Sequence, residues 1–522
     1  MATTTQSSAT GAFVNEPPAN YRLEENARAM REAIAKVRKE LGREYDLVIG
    51  GKRIKTADKI RSLNPAKPSE VVGIHQKAGA EHVEPAMQGA LAAFETWKYS
   101  PVEQRTGILF RTAEILRRRK YEFNAWLVLE VGKNYDEAEA DTCEAIDFLE
   151  LYARQALVLD KAEPVVQLAG ERDYLRYIAL GVGAVISPWN FPNAIALGMT
   201  AASVVCGNTV ILKPSSDSPT IAAKFFEALE EAGLPPGVVN FCPGAGATFG
   251  NGIVAHPKTR YIAFTGSRDV GLDINTRAAQ TQKGQVWIKR TVLEMGGKDS
   301  IVVDADANID AAVAGVAASA FGYQGQKCSA CSRAIVHQDV YDEFVAKLKD
   351  AVEKIAIGSP EENAPMGPVI NEGAMKSILG YIEIGKKEGR LITGGGRASG
   401  EGYFIQPTVI ADIDPQGRLS QEEIFGPVLA VIKARDYDDA LAIANNTEYG
   451  LTGSVYATSP EKIERAKREF HVGNLYINRK CTGAVVGANP FGGFNMSGTD
   501  SKAGGTDYLY LFSQAKSIGH KL

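Results

Sequence analysis

Two textures of apolar patterning run along the chain. In its first third, apolar residues recur every three to four positions within charged segments, which predicts surface helices at 23–41, 80–97, 102–131 and 139–155. Residues 45–54 alternate instead, around Gly50 and Gly51, and predict a hairpin with both glycines in its turn. Residues 165–178 alternate around Gly170 and predict a second hairpin standing off the main body, a route to contacts between subunits. From Gly181 the texture changes to short apolar runs at 184–187, 209–212, 238–242 and 261–264, with helical stretches at 194–206 and 219–232 between them. Ser218 stands where it would cap the latter helix, and Gly233 where it would stop it. Such strand–helix alternation predicts a parallel, doubly wound sheet. A second alternating block begins near Val292 and runs to Cys481 through 300–303, 334–336 and 428–432, which predicts a second α/β domain. The tail at 508–512 reads as a strand pairing elsewhere in the chain or with another subunit. Residues 1–20, rich in Ser, Thr, Ala and Pro, read as a poorly ordered arm.

Composition removes several functional classes. At 522 residues and 45% hydrophobic, the chain is too long for one ordinary domain. A net charge of −4 gives no reason to expect nucleic acid or an anionic membrane as partner. The basic cluster at 117–120 lies among acids and reads as a solvated helix face. No apolar run approaches the ~20 residues of a membrane helix. Residues 1–21 hold no Lys or Arg, so neither a secretory signal nor an Arg-rich transit peptide is expected. The six scattered cysteines suit a reducing compartment, and the cytoplasm is the expected location.

Candidate chemistry centres on Cys328, in the stretch FGYQGQKCSACSR at 321–333. A thiol where a small-residue helix gives way to a glycine-flanked turn can face a cleft, and thiolate is the strongest neutral-pH nucleophile among side chains. A lone cysteine is more often a small buried hydrophobe, so its context decides. Glu294 lies among apolar and glycine residues, where poor solvation would raise its pKa toward that of a general base. Glu423 is a second acid beside an aromatic, Phe425. Phe264-Thr-Gly-Ser267 runs from a strand into a helix start, which presents free N–H groups and a hydroxyl to a pyrophosphate. Lys213 closes a strand at the end where α/β sheets bind ligands. Gly244-Ala-Gly246 is only a fragment of a dinucleotide fingerprint. The stretch at 304–308 begins like a calcium loop but has Ile309 at its glycine position, and the CxxC at 328–331 has no second pair. No metal site is expected.

Six stretches then occur in a fixed order: SPWNFP at 187–192, KPS at 213–215, FTGS at 264–267, LEMGG at 293–297, GQKC at 325–328 and EEIFGP at 422–427. In this order they resemble the aldehyde dehydrogenase superfamily, over residues 45–512. Within it, segments 481–487 and 490–505 resemble the branch that oxidises L-glutamate γ-semialdehyde, the open form of 1-pyrroline-5-carboxylate, to L-glutamate in proline breakdown. The resemblance implies two doubly wound α/β domains plus a small β oligomerisation element. Residues 1–160 and 179–292 would form the NAD-binding domain and 293–481 the catalytic domain. Segments 161–178 and 494–522 would form the oligomerisation hairpin and tail, with 482–493 anchoring the substrate.

It further implies that Cys328 attacks the aldehyde, that the Asn190 amide and the Cys328 N–H stabilise the oxyanion, and that Glu294 activates the hydrolytic water. Lys213 and Glu423 are expected on the ribose hydroxyls of NAD, Gly266 and Ser267 on its pyrophosphate, and Phe425 near the nicotinamide. Ser187, Pro188, Trp189, Ser215 and Gly246 join the cofactor set, with Phe264 and Thr265. Ser216 stands where NAD-preferring relatives often carry an acid, so NAD is expected to be preferred and NADP tolerated. Gly483 and Ala484 would offer backbone N–H groups to the substrate carboxylate, helped by Ser329 and Lys327, while Phe191 and Phe491 wall its aliphatic chain. A homodimer or higher homo-oligomer is expected. The alternatives are a dehydrogenase of another semialdehyde such as succinate semialdehyde, and an inactive scaffold. Retention of Cys328, Asn190 and Glu294 together disfavours the scaffold, and Glu294 disfavours transfer to CoA.

Overall fold

A computed structural model describes residues 11–522. Residues 1–10 of the expected arm lie outside the described residues. Two seven-stranded sheets organise the chain. In the first, Arg290–Glu294, Thr259–Thr265, Val182–Ile186, Thr209–Lys213 and Val239–Phe241 run parallel in that spatial order. Leu47–Ile49 and Lys52–Ile54 extend it antiparallel, joined by Gly50 and Gly51 at φ 59° and 78°, a left-handed pair that only a glycine turn takes without strain. Every residue of Val182–Ile186 and Thr209–Lys213 is buried, because helices cover both faces of a parallel sheet. The expected domain boundary at 292 falls inside Arg290–Glu294, a strand that belongs wholly to this sheet.

The second sheet runs Arg390–Thr393, Thr408–Ala411, Val428–Ala434, Cys331–His337, Asp299–Val303, Thr452–Tyr456 and Asn474–Ile477. All its pairings are parallel except that of the first strand, an antiparallel edge. A third sheet has three strands: Glu171–Ala179 pairs with Ser513–Lys521 over nine residues and with Glu163–Pro164 over two.

Several expectations are corrected. The tail at 508–512 is not a strand but a 3-10 helix, Tyr508–Phe512, and the strand follows it. Tyr508 stacks on Tyr152 and Phe512 meets Tyr261 edge-on, so the segment buries one face of a turn instead of alternating. The hairpin expected at 165–178 is present but lopsided: its returning arm is the long strand Glu171–Ala179, its outgoing arm pairs only at Glu163–Pro164, and the main partner is the tail of the same chain. The helix at 102–131 is two, Val102–Arg118 and Lys120–Val131, broken at Arg119. Of the cluster at 117–120 only Arg118 is a solvated face; Arg117, Arg119 and Lys120 are half-buried and ion-paired. Arg117 reaches Glu16 at 2.7 Å and Glu150 at 3.1 Å, Arg118 reaches Glu231 at 2.6 Å, and Lys120 reaches Glu139 at 2.8 Å. Glu16 belongs to the supposed arm, whose described part is tied down. Its N–H donates to Asp147 at 2.7 Å and that of Ala19 to Glu139 at 2.8 Å.

Ser218 does not cap the helix Pro219–Glu231. The buried carboxylate of Glu130 does so from another helix, accepting the N–H groups of Thr220 at 2.7 Å and Ile221 at 2.8 Å, and the Ser62 hydroxyl at 2.7 Å. Glu130→Ala strips three buried donors of their acceptor. It is expected to cost about 1–3 kcal/mol, read as an earlier midpoint in denaturant unfolding with little change in slope.

Candidate active site

The helix Ile309–Phe321 buries one side made of Ala312, Val313, Val316, Ala320 and Phe321. Beyond it, Tyr323, Gln324 and Gly325 lie consecutively in left-handed conformation, at φ 49°, 57° and 68°. For Tyr and Gln this backbone costs of order 1 kcal/mol each and needs outside support. Tyr323 donates its hydroxyl to the Val131 carbonyl at 3.0 Å, and Gln324 its amide to the Pro368 carbonyl at 2.8 Å. The twist delivers Cys328 half-buried at the head of the strand Cys331–His337. Burial, reinforced by Asp299, Glu294 and Glu423, pushes its thiol above the ordinary range, so the resting sulfur carries its proton.

Two first-sheet strands point at this turn. After Val182–Ile186 comes Asn190, buried, whose side-chain amide donates at 3.1 Å to the carbonyl of Gln326, two residues before the thiol. Arg290–Glu294 ends on Glu294, which burial pushes up to about 8 against the lowering effect of the Ser501 hydrogen bond and the nearby Gly493 N–H. The structure thus brings the expected thiol, amide and acid to one junction between the two large sheets.

Most of the expected cofactor residues follow strands of the first sheet, while Glu423 and Phe425 come from the loop before Val428–Ala434 of the second. Lys213 is buried, which pulls its ammonium down to about 8, and among the described residues it donates only to the adjacent Pro214 carbonyl at 3.2 Å. Its neighbour Ser215 accepts the Asp217 N–H at 3.3 Å, while Ser216 is exposed. Phe264 is buried, and the Thr265 hydroxyl rests 3.8 Å from the Met199 sulfur. The Gly266 N–H donates to the Glu294 carbonyl at 3.0 Å, tying this turn to the acid. Ser267 precedes the twelve-residue helix Arg268–Ala279, is exposed, and gives its hydroxyl to no cap bond. Gly246 faces open space. The hydroxyl of Ser187 is buried without a partner among the described residues. Pro188 and Trp189 follow, half-buried, and the Trp189 ring meets Phe425 edge-on at 5.4 Å. Phe425 has φ 56°, and Glu423 beside it accepts the Gly297 N–H at 3.0 Å while burial raises it to about 7.

At the opposite end, Phe191 packs edge-on to Tyr323 at 6.3 Å. Lys327 is paired with Glu137 at 2.6 Å. Ser329 is buried, and its carbonyl accepts the Cys481 thiol at 3.3 Å, which starts the 482–493 segment beside the turn that carries Cys328. Gly483 has φ 78°, and the N–H groups of Gly483 and Ala484 have no acceptor among the described residues. Phe491 exchanges both backbone hydrogen bonds with Ala503, at 2.9 and 2.8 Å.

Sequence reasoning missed the acids and lysine on this side. Lys133 is fully buried, 3.0 Å from Asp141 and 3.7 Å from the centre of the Phe191 ring. Glu144 is half-buried with no hydrogen bond among the described residues, and burial next to Asp141 raises it to about 8. Positions 133, 137, 141 and 144 recur at helical spacing on an otherwise apolar face of Tyr135–Leu159 and its lead-in, the one signal that marked them. Among the described residues no cluster of His, Cys, Asp and Glu is arranged to hold a metal ion, and no helix is long and apolar enough to cross a membrane.

The model of the aldehyde dehydrogenase family matches residues 53–518. A protein of Geobacillus thermodenitrificans named 1-pyrroline-5-carboxylate dehydrogenase is 57% identical over 507 residues, covering 97% of this chain and 98% of its own. A crystal structure of 1-pyrroline-5-carboxylate dehydrogenase from Thermus with bound NAD superposes with a TM-score of 0.97 at 51% identity, covering 98% of this chain and all of that one. Proline utilization A from Bdellovibrio bacteriovorus has a TM-score of 0.97 at 45% identity, with 98% of this chain lying on 53% of that longer protein. A family match across most of the sequence, with relatives more than half identical along nearly all of it, settles the affiliation: this chain belongs to the aldehyde dehydrogenase family.

Proposed function

We propose that this chain oxidises L-glutamate γ-semialdehyde to L-glutamate with NAD, through a covalent intermediate on Cys328. The observation that carries the reading is the convergence of Cys328, Asn190 and Glu294 where the two large sheets meet. The thiol releases its proton to solvent and its sulfur bonds to the aldehyde carbon, while the carbonyl π pair moves onto oxygen. The Asn190 amide and the Cys328 N–H donate to that oxyanion, and such donors are worth most in a site closed to water. NAD, when bound, supplies the hydride acceptor that turns this adduct into a thioester. Glu294, as carboxylate, then takes a proton from water as the water attacks, the C–S bond breaks, and the sulfur leaves as thiolate.

The residues present fit NAD. The uncapped helix start at Ser267, with the Gly266 turn before it, suits a pyrophosphate. Lys213 and Glu423 reach for ribose hydroxyls, the unpartnered Ser187 hydroxyl offers a further contact, and Gly246 leaves room for close approach. Trp189 and Phe425 wall the end nearest Cys328. In this reading residues 179–292 serve the cofactor, 293–481 the thiol, and 482–493 the substrate carboxylate through Gly483 and Ala484. Phe191 and Phe491 flank the aliphatic chain, and Glu144 offers its unpaired carboxyl to the ammonium. The outlying sheet of Glu171–Ala179 and Ser513–Lys521 exposes Val166 and Leu168 beside it, a surface suited to homo-oligomer formation.

A substrate panel tests the reading. With NAD, kcat/KM for glutamate semialdehyde is expected to exceed that for succinate semialdehyde and for a simple alkanal by at least about tenfold. Equal or better use of the alkanal contradicts it. Because Ser216 supplies no carboxylate to repel a 2′-phosphate, NADP is expected to support a lower but measurable rate, and total rejection of NADP counts against that assignment.

A further inference from the structure

The carboxyl group of Glu294 rests in a niche built by the segment 492–502, which no part of the mechanism above uses. Ser501, buried, places its hydroxyl on Oε1 in a short hydrogen bond. The Gly493 N–H lies near enough to the same carboxyl to favour its charged form, while Oε2 is buried without a hydrogen-bond partner among the described residues. A methyl group built on Gly498 would stand 3.4 Å from both carboxyl oxygens, and one on Gly492 would stand 2.9 Å from Oε1, so these glycines let the backbone close around it. The niche is fastened to the strand that carries Glu294: Met295 N–H donates to Ser497 at 2.7 Å, and Thr499 N–H to Leu293 at 3.0 Å. It is fastened equally to the substrate side through the paired backbones of Phe491 and Ala503.

We propose that Ser501 is the positioning residue for Glu294, holding its carboxylate in the glycine niche as an aligned acceptor and so setting the pH at which thioester hydrolysis begins. The inference rests on Glu294 being the base of the proposed reaction. A hydroxyl donating to a carboxylate favours the ionised form. The other groups facing Glu294 are few. Lys502 lowers its pKa from a position fixed by the Gly473 carbonyl at 2.7 Å and the Gly492 carbonyl, the exposed Asp500 raises it, and the Cys328 thiol and the Tyr508 phenol are neutral neighbours. Among the described residues Ser501 is the one whose side chain donates to the carboxyl, which makes that contact removable by substitution.

The test follows NADH release from glutamate semialdehyde and NAD across pH in wild type, Ser501→Ala, Ser501→Thr and Glu294→Gln. For Ser501→Ala the initial single-turnover burst is expected to keep its amplitude, while the acid limb of later turnover moves up by about one pH unit, lowering the rate at neutral pH several-fold. Ser501→Thr, which keeps the hydroxyl, is expected to overlay the wild-type profile. An unshifted Ser501→Ala profile, or equal losses in both serine variants, overturns the role of Ser501. Unimpaired turnover in Glu294→Gln instead overturns the reading of Glu294 beneath it.

Discussion

Cys328→Ala is expected to remove NADH production from glutamate semialdehyde almost completely, with kcat down about 10³-fold or more. The sulfur is the only atom in the reaction that both bonds to the carbonyl carbon and leaves again, and neither Asn190 nor Glu294 replaces it. The position is half-buried and the truncation small, so the midpoint of thermal unfolding is expected to move little. Stopped-flow absorbance at neutral pH checks the first expectation and calorimetry the second. A variant that keeps its unfolding midpoint but has no burst isolates chemistry from folding.

Glu294→Gln is expected to separate the two halves of the reaction. Attack by Cys328 and oxidation do not need the carboxylate, so one equivalent of NADH forms quickly, while later turnover falls about 10²- to 10⁴-fold. The pH dependence has a definite sign. Burial raises Glu294 to about 8, so the protonated, inactive form dominates at neutral pH and hydrolysis quickens as pH rises through that value. Amide substitution removes that limb altogether. A Glu294→Gln enzyme that still turns over with a rising limb near 8 assigns the titration, and the base, to another group.

Much of the architecture was legible along the chain because buried parallel strands must be apolar throughout. Val182–Ile186 and the central Val210–Leu212 of its neighbour have that texture, and the helices between them have the other. The proposed catalytic trio was legible too, since each member sits in an ordered motif at the end of a strand or helix. What local pattern did not reveal depends on partners distant in sequence. The cap on Pro219–Glu231 comes from Glu130, ninety residues upstream, so the serine in the cap position misled. The basic cluster at 117–120 looked solvated because Glu16 and Glu231, which neutralise it, lie about a hundred residues away on either side. The tail at 508–512 has strand-forming residues, but Tyr508 and Phe512 stand four apart on one face and find aromatic partners in Tyr152 and Tyr261. The Ser501 contact to Glu294 spans 207 residues, and no spacing rule reaches so far.

The most direct measurement is peptide mass analysis of the Glu294→Gln enzyme, quenched in acid after mixing with NAD and glutamate semialdehyde. The account predicts a glutamyl thioester on the peptide that carries Cys328, in near-stoichiometric amount and dependent on NAD. NADH formed with that peptide unmodified, or with the acyl group on another cysteine, would contradict it.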